Sequence, residues 1–217
     1  MNSIKIISSV LFFVPTLLVF GQDTITPALA PKQIKPYNRA FEILHEQYRG
    51  NPIIRIKGKP DAGIAWIEGL TFENGIIEFD VKGKDIVQQS FVGVAFHGLD
   101  DNTYQAIYFR PFNFRSKDPI RKMHAVQYIA LPDNDWSYLR ETYPQKYEAS
   151  VPSTVDPNEW FHVKLIIGQQ TIAVFINSYP QPILSLKSLM SNGKGKVGFW
   201  TGNGSDGDFS GLVVIKH

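Results

Sequence analysis

The chain has 217 residues and a formal net charge of +2, with 43% hydrophobic, 13% aromatic and 19% charged residues. This length can bury the core of one β-sandwich domain. The small charge, without a long run of Lys or Arg, argues against nucleic-acid or anionic-membrane partners. The chain contains no cysteine, which excludes disulfides, a thiolate nucleophile and a Cys-ligated metal site.

Residues 1–22 have the pattern of a signal peptide. A cation at Lys5 precedes an apolar run that is broken at Pro15. A membrane span would need a longer uninterrupted apolar segment, so we predict cleavage rather than anchoring. The sequence therefore predicts a secreted or periplasmic protein with no membrane insertion after removal of the signal. It leaves the oligomeric state open.

Residues 23–38 form a lead-in with three prolines, which cannot hold a helix or a central strand. From residue 39 to 217, short alternating or apolar runs are separated by Gly, Pro and Asn, as is typical of one antiparallel sheet domain. The strand pattern lapses over residues 131–155, which we interpret as a long insertion over the sheet. Asp135 is the predicted N-cap of a short helix inside it.

The clearest strand pair runs from Phe91 to Phe114 and turns at residues 99–102, where Asp and Asn tolerate turn angles. One side of this hairpin is apolar and carries Val92, Val94, Phe96, Ile107 and Phe109. The other side mixes small residues with rings and a cation, namely Gly93, Ala95, His97, Tyr104, Ala106, Tyr108 and Arg110. The second side therefore predicts a floor on which a ligand lies.

Further strands are predicted over residues 76–81, 124–129, 160–167, 171–176, 195–201 and 209–215. Residues 115–122 are predicted to be a basic loop. In the strand at 76–81, Glu78 and Asp80 share one face at positions i and i+2, about 7 Å apart. His124, Gln127 and Tyr128 lie in the next strand after the hairpin.

Five motifs occur in a familiar order: FENGIIEFDV (72–81), VAFH (94–97), NEWFHVK (158–164), VFIN (174–177) and GKVGFW (195–200). In this order the chain resembles the concanavalin-A-like lectin/glucanase superfamily, and within it the laminin-G-like and 3-keto-disaccharide hydrolase-type domains of secreted bacterial proteins. The resemblance spans residues 41–215. It implies an all-β fold of two antiparallel sheets in a jelly-roll sandwich, whose concave sheet usually binds sugar.

The leading hypothesis is an exported domain that binds an oligosaccharide or polysaccharide on the concave sheet. Aromatic rings stack on the C–H faces of sugars, and polar side chains bond their hydroxyls. The predicted ligand-binding residues are His97, Tyr104, Tyr108, Arg110, Gln127, Tyr128 and Trp136. The alternative is that this side of the hairpin binds no ligand. It would then face solvent or lie under the insertion, and Arg110 would form an ion pair with Glu78 or Asp80.

A second hypothesis is a glycoside hydrolase that uses the same surface, with Glu78 or Asp80 as acid or base and His124 as partner. The sequence lacks the Glu-x-Asp-x-x-Glu pattern that glucanases of the resembled superfamily carry on one strand. A third hypothesis is an adhesion or interaction module that uses a loop edge, as laminin-G-like domains do.

The Gly-rich loop at residues 202–208 carries oxygen ligands at short spacing in Asn203, Asp206 and Asp208. Such oxygens suit a structural calcium ion. The alternative is a plain turn in which Asp and Asn cap backbone N–H groups. No other cofactor is predicted.

Overall fold

The structure, a computed structural model, describes residues 23–190 and 193–217. The predicted signal peptide at residues 1–22 lies outside the described residues. The described chain folds into two antiparallel β-sheets, one of eight strands and one of seven. The predicted all-β sandwich is confirmed.

The eight-stranded sheet consists of strands from both ends of the chain. In side-by-side order they are β13 (Leu184–Lys187), β12 (Thr171–Ile176), β11 (Phe161–Ile167), β6 (Gly75–Lys82), β15 (Gly207–Lys216), β4 (Asn51–Lys57) and β3 (Ala40–Tyr48), with β1 (Asp23–Ile25) paired to β15. The inward side chains of β6 are Ile77, Phe79 and Val81, all fully buried. This strand therefore has one face in the core and one face away from it.

The seven-stranded sheet contains the predicted hairpin. Its order is β10 (Glu148–Ala149), β9 (Val126–Leu131), β8 (Tyr104–Phe109), β7 (Val92–Gly98), β14 (Gly195–Thr201), β5 (Gly63–Phe72) and β2 (Ile34–Tyr37). Strands β7 and β8 pair antiparallel, as predicted. The turn between them is held by Asp100, whose Oδ1 accepts the backbone N–H groups of Asn102 at 2.8 Å and Thr103 at 2.7 Å.

Two short α-helices lie outside the sheets. Helix α2 (Trp136–Thr142) begins after Asp135, whose carboxylate accepts the Tyr138 N–H at 2.8 Å, and this confirms the predicted cap. Helix α1 (Pro119–Met123) occupies part of the segment that we predicted to be a basic loop. The missed signal is Asp118, a capping residue directly before a proline. Among residues 23–190 and 193–217, no helix has the length and apolar character to cross a membrane.

The Pro-rich lead-in is more ordered than its composition indicates. It contributes β1, a 3-10 turn at Pro31–Gln33 and β2. Strand β2 is the last strand of its sheet. An edge position tolerates Pro36, because the missing N–H interrupts no interior ladder.

The main core lies between the two sheets. Phe199 of β14 stacks on Phe209 of β15, with ring centroids 4.7 Å apart, and Phe79 of β6 lies 6.1 Å from Phe199. All three side chains are fully buried. Because side chains alternate along a strand, the residue after Phe199 projects from the opposite face of the seven-stranded sheet.

Candidate functional site

The outer face of the seven-stranded sheet carries a second apolar cluster, which consists of Ile64, Trp66, Ala95, Tyr104, Ala106, Tyr108, Ile129 and Trp200. Over it lies a cleft of about 820 Å³. Four other surface depressions have volumes of about 390 to 470 Å³. Aromatic and polar side chains line the cleft, among them Phe91, Tyr104, Tyr108, Arg110, Asn113, Arg121, His124, Trp136, Arg140 and Trp200.

The floor of the cleft is a row of aromatic rings. The rings of Tyr108 and Trp200 have centroids 4.5 Å apart at 30°, and the Trp200 indole N–H donates to the Tyr104 hydroxyl at 3.1 Å. Gly93 lies between Trp200 and Tyr108 in the strand register. A Cβ there would come within 2.1 Å of the Ile107 carbonyl oxygen, so only glycine fits this close approach. The glycine therefore lets strand β7 pass close to β8 beneath these rings.

Trp136 forms part of the wall. It is the first residue of α2 and is 47% exposed. The Arg140 guanidinium, one turn later on the same helix, lies 5.1 Å from its ring centroid, within the range of a cation–π contact. The insertion therefore brings the large accessible ring of Trp136 to the cleft, and ligand binding by Trp136 stays a prediction.

Arg110 enters the cleft from the end of β8. It is 5% exposed, and its Nη2 donates to the Tyr108 hydroxyl at 2.7 Å while Nη1 donates to the His124 carbonyl oxygen at 2.9 Å. Burial lowers the pKa of the Arg110 guanidinium and raises the pKa of the Tyr108 phenol. Arginine remains charged even so. The site thus holds a desolvated cation in a fixed orientation beside a protonated phenol.

Asn113 lies beside this arginine. Its Nδ2 donates to the His124 carbonyl oxygen at 3.3 Å. Its Oδ1 is buried and has no hydrogen-bond partner in the part of the chain that the structure describes. A buried acceptor without a donor costs free energy. Asn113 lines the cleft, but this oxygen lies buried below the cleft surface.

A buried carboxylate orients His124. Glu148 is 3% exposed; its Oε2 lies 2.6 Å from His124 Nδ1 and 3.0 Å from Arg140 Nη2. Burial lowers the pKa of His124, with the Glu148 carboxylate opposing this and Arg140 adding to it. The ring is therefore neutral at pH 7, and its Nδ1–H donates to Glu148. This tautomer leaves Nε2 as an acceptor.

No family model matches the sequence, and no curated protein matches it. Solved structures do match. A carbohydrate-binding module from Bacillus subtilis (CBM66) superposes with a TM-score of 0.56 at 10% identity, over 85% of this chain and 92% of that chain. A beta-glucanase from Bacillus licheniformis superposes with a TM-score of 0.52 at 13% identity, over 92% of this chain and 99% of that chain. A protein of unknown function from Bacillus subtilis, described as having a galectin-like fold, superposes with a TM-score of 0.54 at 16% identity. The match covers 86% of this chain and 91% of that chain. The chain has the concanavalin-A-like sandwich fold. At these identities the likeness establishes the fold alone.

In this concanavalin-A-like sandwich, four predicted ligand-binding residues meet in the cleft, namely Tyr104, Tyr108, Arg110 and Trp136, together with His124, the predicted catalytic partner. Gln127 of β9 projects from the same face of the sheet as Tyr108, its partner in the ladder, but it is fully buried. Its Nε2 donates to the backbone oxygens of Tyr128 at 3.0 Å and Tyr147 at 3.2 Å. Its Oε1 has no partner among the described residues. The insertion covers Gln127, so it does not line the cleft.

The predicted position of Glu78 and Asp80 is wrong. Both lie on β6 of the eight-stranded sheet and face away from the core, on the opposite side of the sandwich from the cleft. Glu78 Oε1 pairs with Lys164 Nζ at 3.3 Å, and Asp80 Oδ1 lies 3.1 Å from His162 Nδ1. The two acids therefore share no surface with Arg110, which also excludes the ion pair considered for it.

Two other predicted ligand-binding residues face the core. His97 has φ of 52°, which breaks the alternation and turns its ring inward. The ring is 1% exposed and stacks on Phe72 at 5.8 Å; its Nε2 donates to the Glu73 carbonyl oxygen at 2.6 Å. Tyr128 pairs with Ile107 in the ladder and shares its inward face. The Tyr128 hydroxyl donates to Gln105 Oε1 at 2.7 Å.

The side chains of the Gly-rich loop bind other parts of the protein. Asn203 Oδ1 accepts the Asp61 N–H at 2.9 Å. Asp206 Oδ2 pairs with a lysine at 2.9 Å, and both oxygens of Asp208 accept from Arg55 at 2.7 and 2.8 Å. Within the described ranges, no cluster of three or more His, Cys, Asp or Glu side chains could hold a metal. These contacts suit the turn interpretation, and calcium binding at the loop stays a prediction.

Sequence reasoning missed several cleft residues, namely Phe91, Asn113, Arg121, Arg140, Glu148 and Trp200. A usable signal existed for Trp200, because it alternates with the core residue Phe199. No local signal marks Glu148, which lies in a two-residue strand inside the insertion.

Proposed function

We propose that this protein binds carbohydrate in the cleft on the seven-stranded sheet. The observation that carries the proposal is the combination, in one cleft, of an aromatic floor with polar groups held by hydrogen bonds. Sugars present apolar C–H faces to rings and hydroxyls to hydrogen-bonding groups. Tyr108 and Trp200 supply the rings, and Arg110 and Asn113 supply the polar groups.

The fixed geometry of the cleft favours binding. Groups that are already oriented lose little conformational freedom when a ligand binds, and this improves affinity. Arg110 is held by two hydrogen bonds, and Asn113 Nδ2 donates to the His124 carbonyl oxygen at 3.3 Å. The fold likeness to a carbohydrate-binding module and a beta-glucanase supports the same proposal.

Replacing Trp136 with alanine should weaken glycan binding about tenfold. It removes an accessible aromatic contact that contributes about 1 kcal/mol or more to the free energy of binding. The matched control is Tyr138→Ala, which removes a ring of similar exposure, 45%, from the same helix at a position that does not line the cleft. Ligands would be found on a glycan array and their Kd values measured by titration calorimetry. Equal losses in the two variants, or none in Trp136→Ala, would count against the cleft.

Glycoside hydrolysis on the same surface is a second candidate, favoured by the pair of His124 and Glu148. A histidine oriented by a buried carboxylate is an arrangement suited to general-base chemistry. Two acidic residues, Asp61 and Asp135, also line the cleft. Release of reducing ends by the native chain that is lost in His124→Asn would favour this candidate; binding without release favours the first.

Export to the periplasm or the extracellular space is part of the proposal. It is supported by the cationic and apolar pattern of residues 1–22 and by the location of polymeric glycans outside cells. The kinship with laminin-G-like and 3-keto-disaccharide hydrolase-type domains likewise rests on the sequence resemblance.

A further inference from the structure

Arg110 is a buried cation without an acidic partner. Its two hydrogen bonds go to a phenol and to a backbone carbonyl. Within the described ranges, no carboxylate oxygen lies within ion-pair distance of its nitrogens. Arg39, which is equally buried, also has no carboxylate partner but donates five hydrogen bonds to oxygens. Two rings partly compensate at Arg110, since its guanidinium carbon lies 4.9 Å from the Tyr108 centroid and 5.7 Å from that of Phe91. Buried charges are ordinarily paired, because desolvating a lone ion is costly.

The other charges of the cleft do not fill this gap. The charged side chains that line or back it are Arg110, Arg121, Arg140, Asp61, Asp135 and Glu148. Glu148 is bound by Arg140 and His124, and Asp135 accepts the Tyr138 N–H of α2. The positive and negative charges balance, so net charge does not single out a ligand. The absence of a carboxylate partner at Arg110 is what points to an anionic ligand.

We propose that the sugar bound in the cleft carries an anionic group, a carboxylate or a sulfate ester, and that Arg110 pairs with it. The inference rests on the proposed function and adds the class of glycan. A guanidinium binds both oxyanions through paired N–H groups. The Tyr108 ring lies 4.9 Å from the guanidinium carbon, so one residue of an acidic sugar meets ring and cation together.

The test compares acidic glycans with neutral forms of the same stereochemistry. One arm uses oligogalacturonates against their methyl esters, and the other uses sulfated galactan oligosaccharides against their desulfated forms. We expect the acidic member of one arm to bind the native chain about 10- to 100-fold more tightly, as hydrogen bonds to a charged group predict. The arm that shows the difference identifies the oxyanion.

Variants assign the difference to Arg110. Arg110→Gln should bring the acidic and neutral Kd values within about threefold of each other. Lys117→Gln removes an exposed charge outside the cleft and should leave the difference intact. If Arg110→Gln fails to fold, Arg110→Lys keeps the charge without the paired N–H groups and should retain only part of the difference.

The outcomes separate this inference from the proposed function. Neutral glycans that bind as tightly as acidic ones would overturn the anionic ligand and leave sugar binding standing. A preference for acidic glycans that persists in Arg110→Gln would overturn the role of Arg110. Binding of no glycan in either arm or on the array would overturn both proposals.

Discussion

Replacing Glu148 with alanine is expected to lower the free energy of unfolding by about 3 kcal/mol. The carboxylate is 3% exposed and lies between His124 and Arg140 at 2.6 and 3.0 Å. Its loss leaves Arg140 without its anion in a partly desolvated site. We place the value at the lower end for a broken buried pair because the Arg140 side chain is 31% exposed. Urea unfolding at pH 7 measures it.

An exposed ion pair provides the control. Glu42 Oε2 lies 2.8 Å from Lys57 Nζ, and the two side chains are 41% and 52% exposed. Solvent screens such a pair, so Glu42→Ala should cost less than about 1 kcal/mol. If Glu148→Ala lowers the free energy of unfolding no more than Glu42→Ala does, the contacts of Glu148 with His124 and Arg140 do not stabilise the insertion.

Replacing Phe199 with alanine should cost about 3 to 5 kcal/mol. Phe199 is fully buried between the sheets, where it contacts Phe79 of one strand and stacks on Phe209 of another at 4.7 Å. The substitution leaves a cavity where the two sheets meet. The urea midpoint should fall while the slope is unchanged, because the area exposed on unfolding stays nearly the same.

Phe175 serves as the matched control. It lies on β12 at the outer face of the eight-stranded sheet and is only partly buried. Phe175→Ala removes the same atoms without opening a cavity between the sheets, so its cost should be clearly smaller. Equal costs would contradict the position of the main core.

Much of the fold follows from side-chain alternation. The pairing of β7 with β8, the turn at Asp100 and the cap at Asp135 were predicted, because each depends on neighbours in sequence. The arrangement of the strands in a two-sheet sandwich was predicted from the resemblance to the concanavalin-A-like superfamily. The same local pattern placed Tyr108 and Arg110 on one face, and both line the cleft.

The errors have different physical causes, of which the first is that alternation gives the face of a strand and not its sheet. Glu78 and Asp80 alternate correctly, yet β6 belongs to the other sheet. At His97 a positive φ reverses the alternation, which no residue type at that position announces. Glu148 meets His124 only because β10 pairs with β9 after a long excursion.

The most direct test of a sugar site in the cleft uses the indole N–H signals of the four tryptophans. Trp136 and Trp200 line the cleft, whereas Trp160 stacks on Tyr48 at 4.3 Å beside the eight-stranded sheet. In an NMR titration of the ¹⁵N-labelled chain with the tightest-binding oligosaccharide, we expect the Trp136 and Trp200 signals to shift and the Trp160 signal to stay. A shift of Trp160 with Trp136 and Trp200 unmoved would place the ligand on the other sheet and contradict the proposed site.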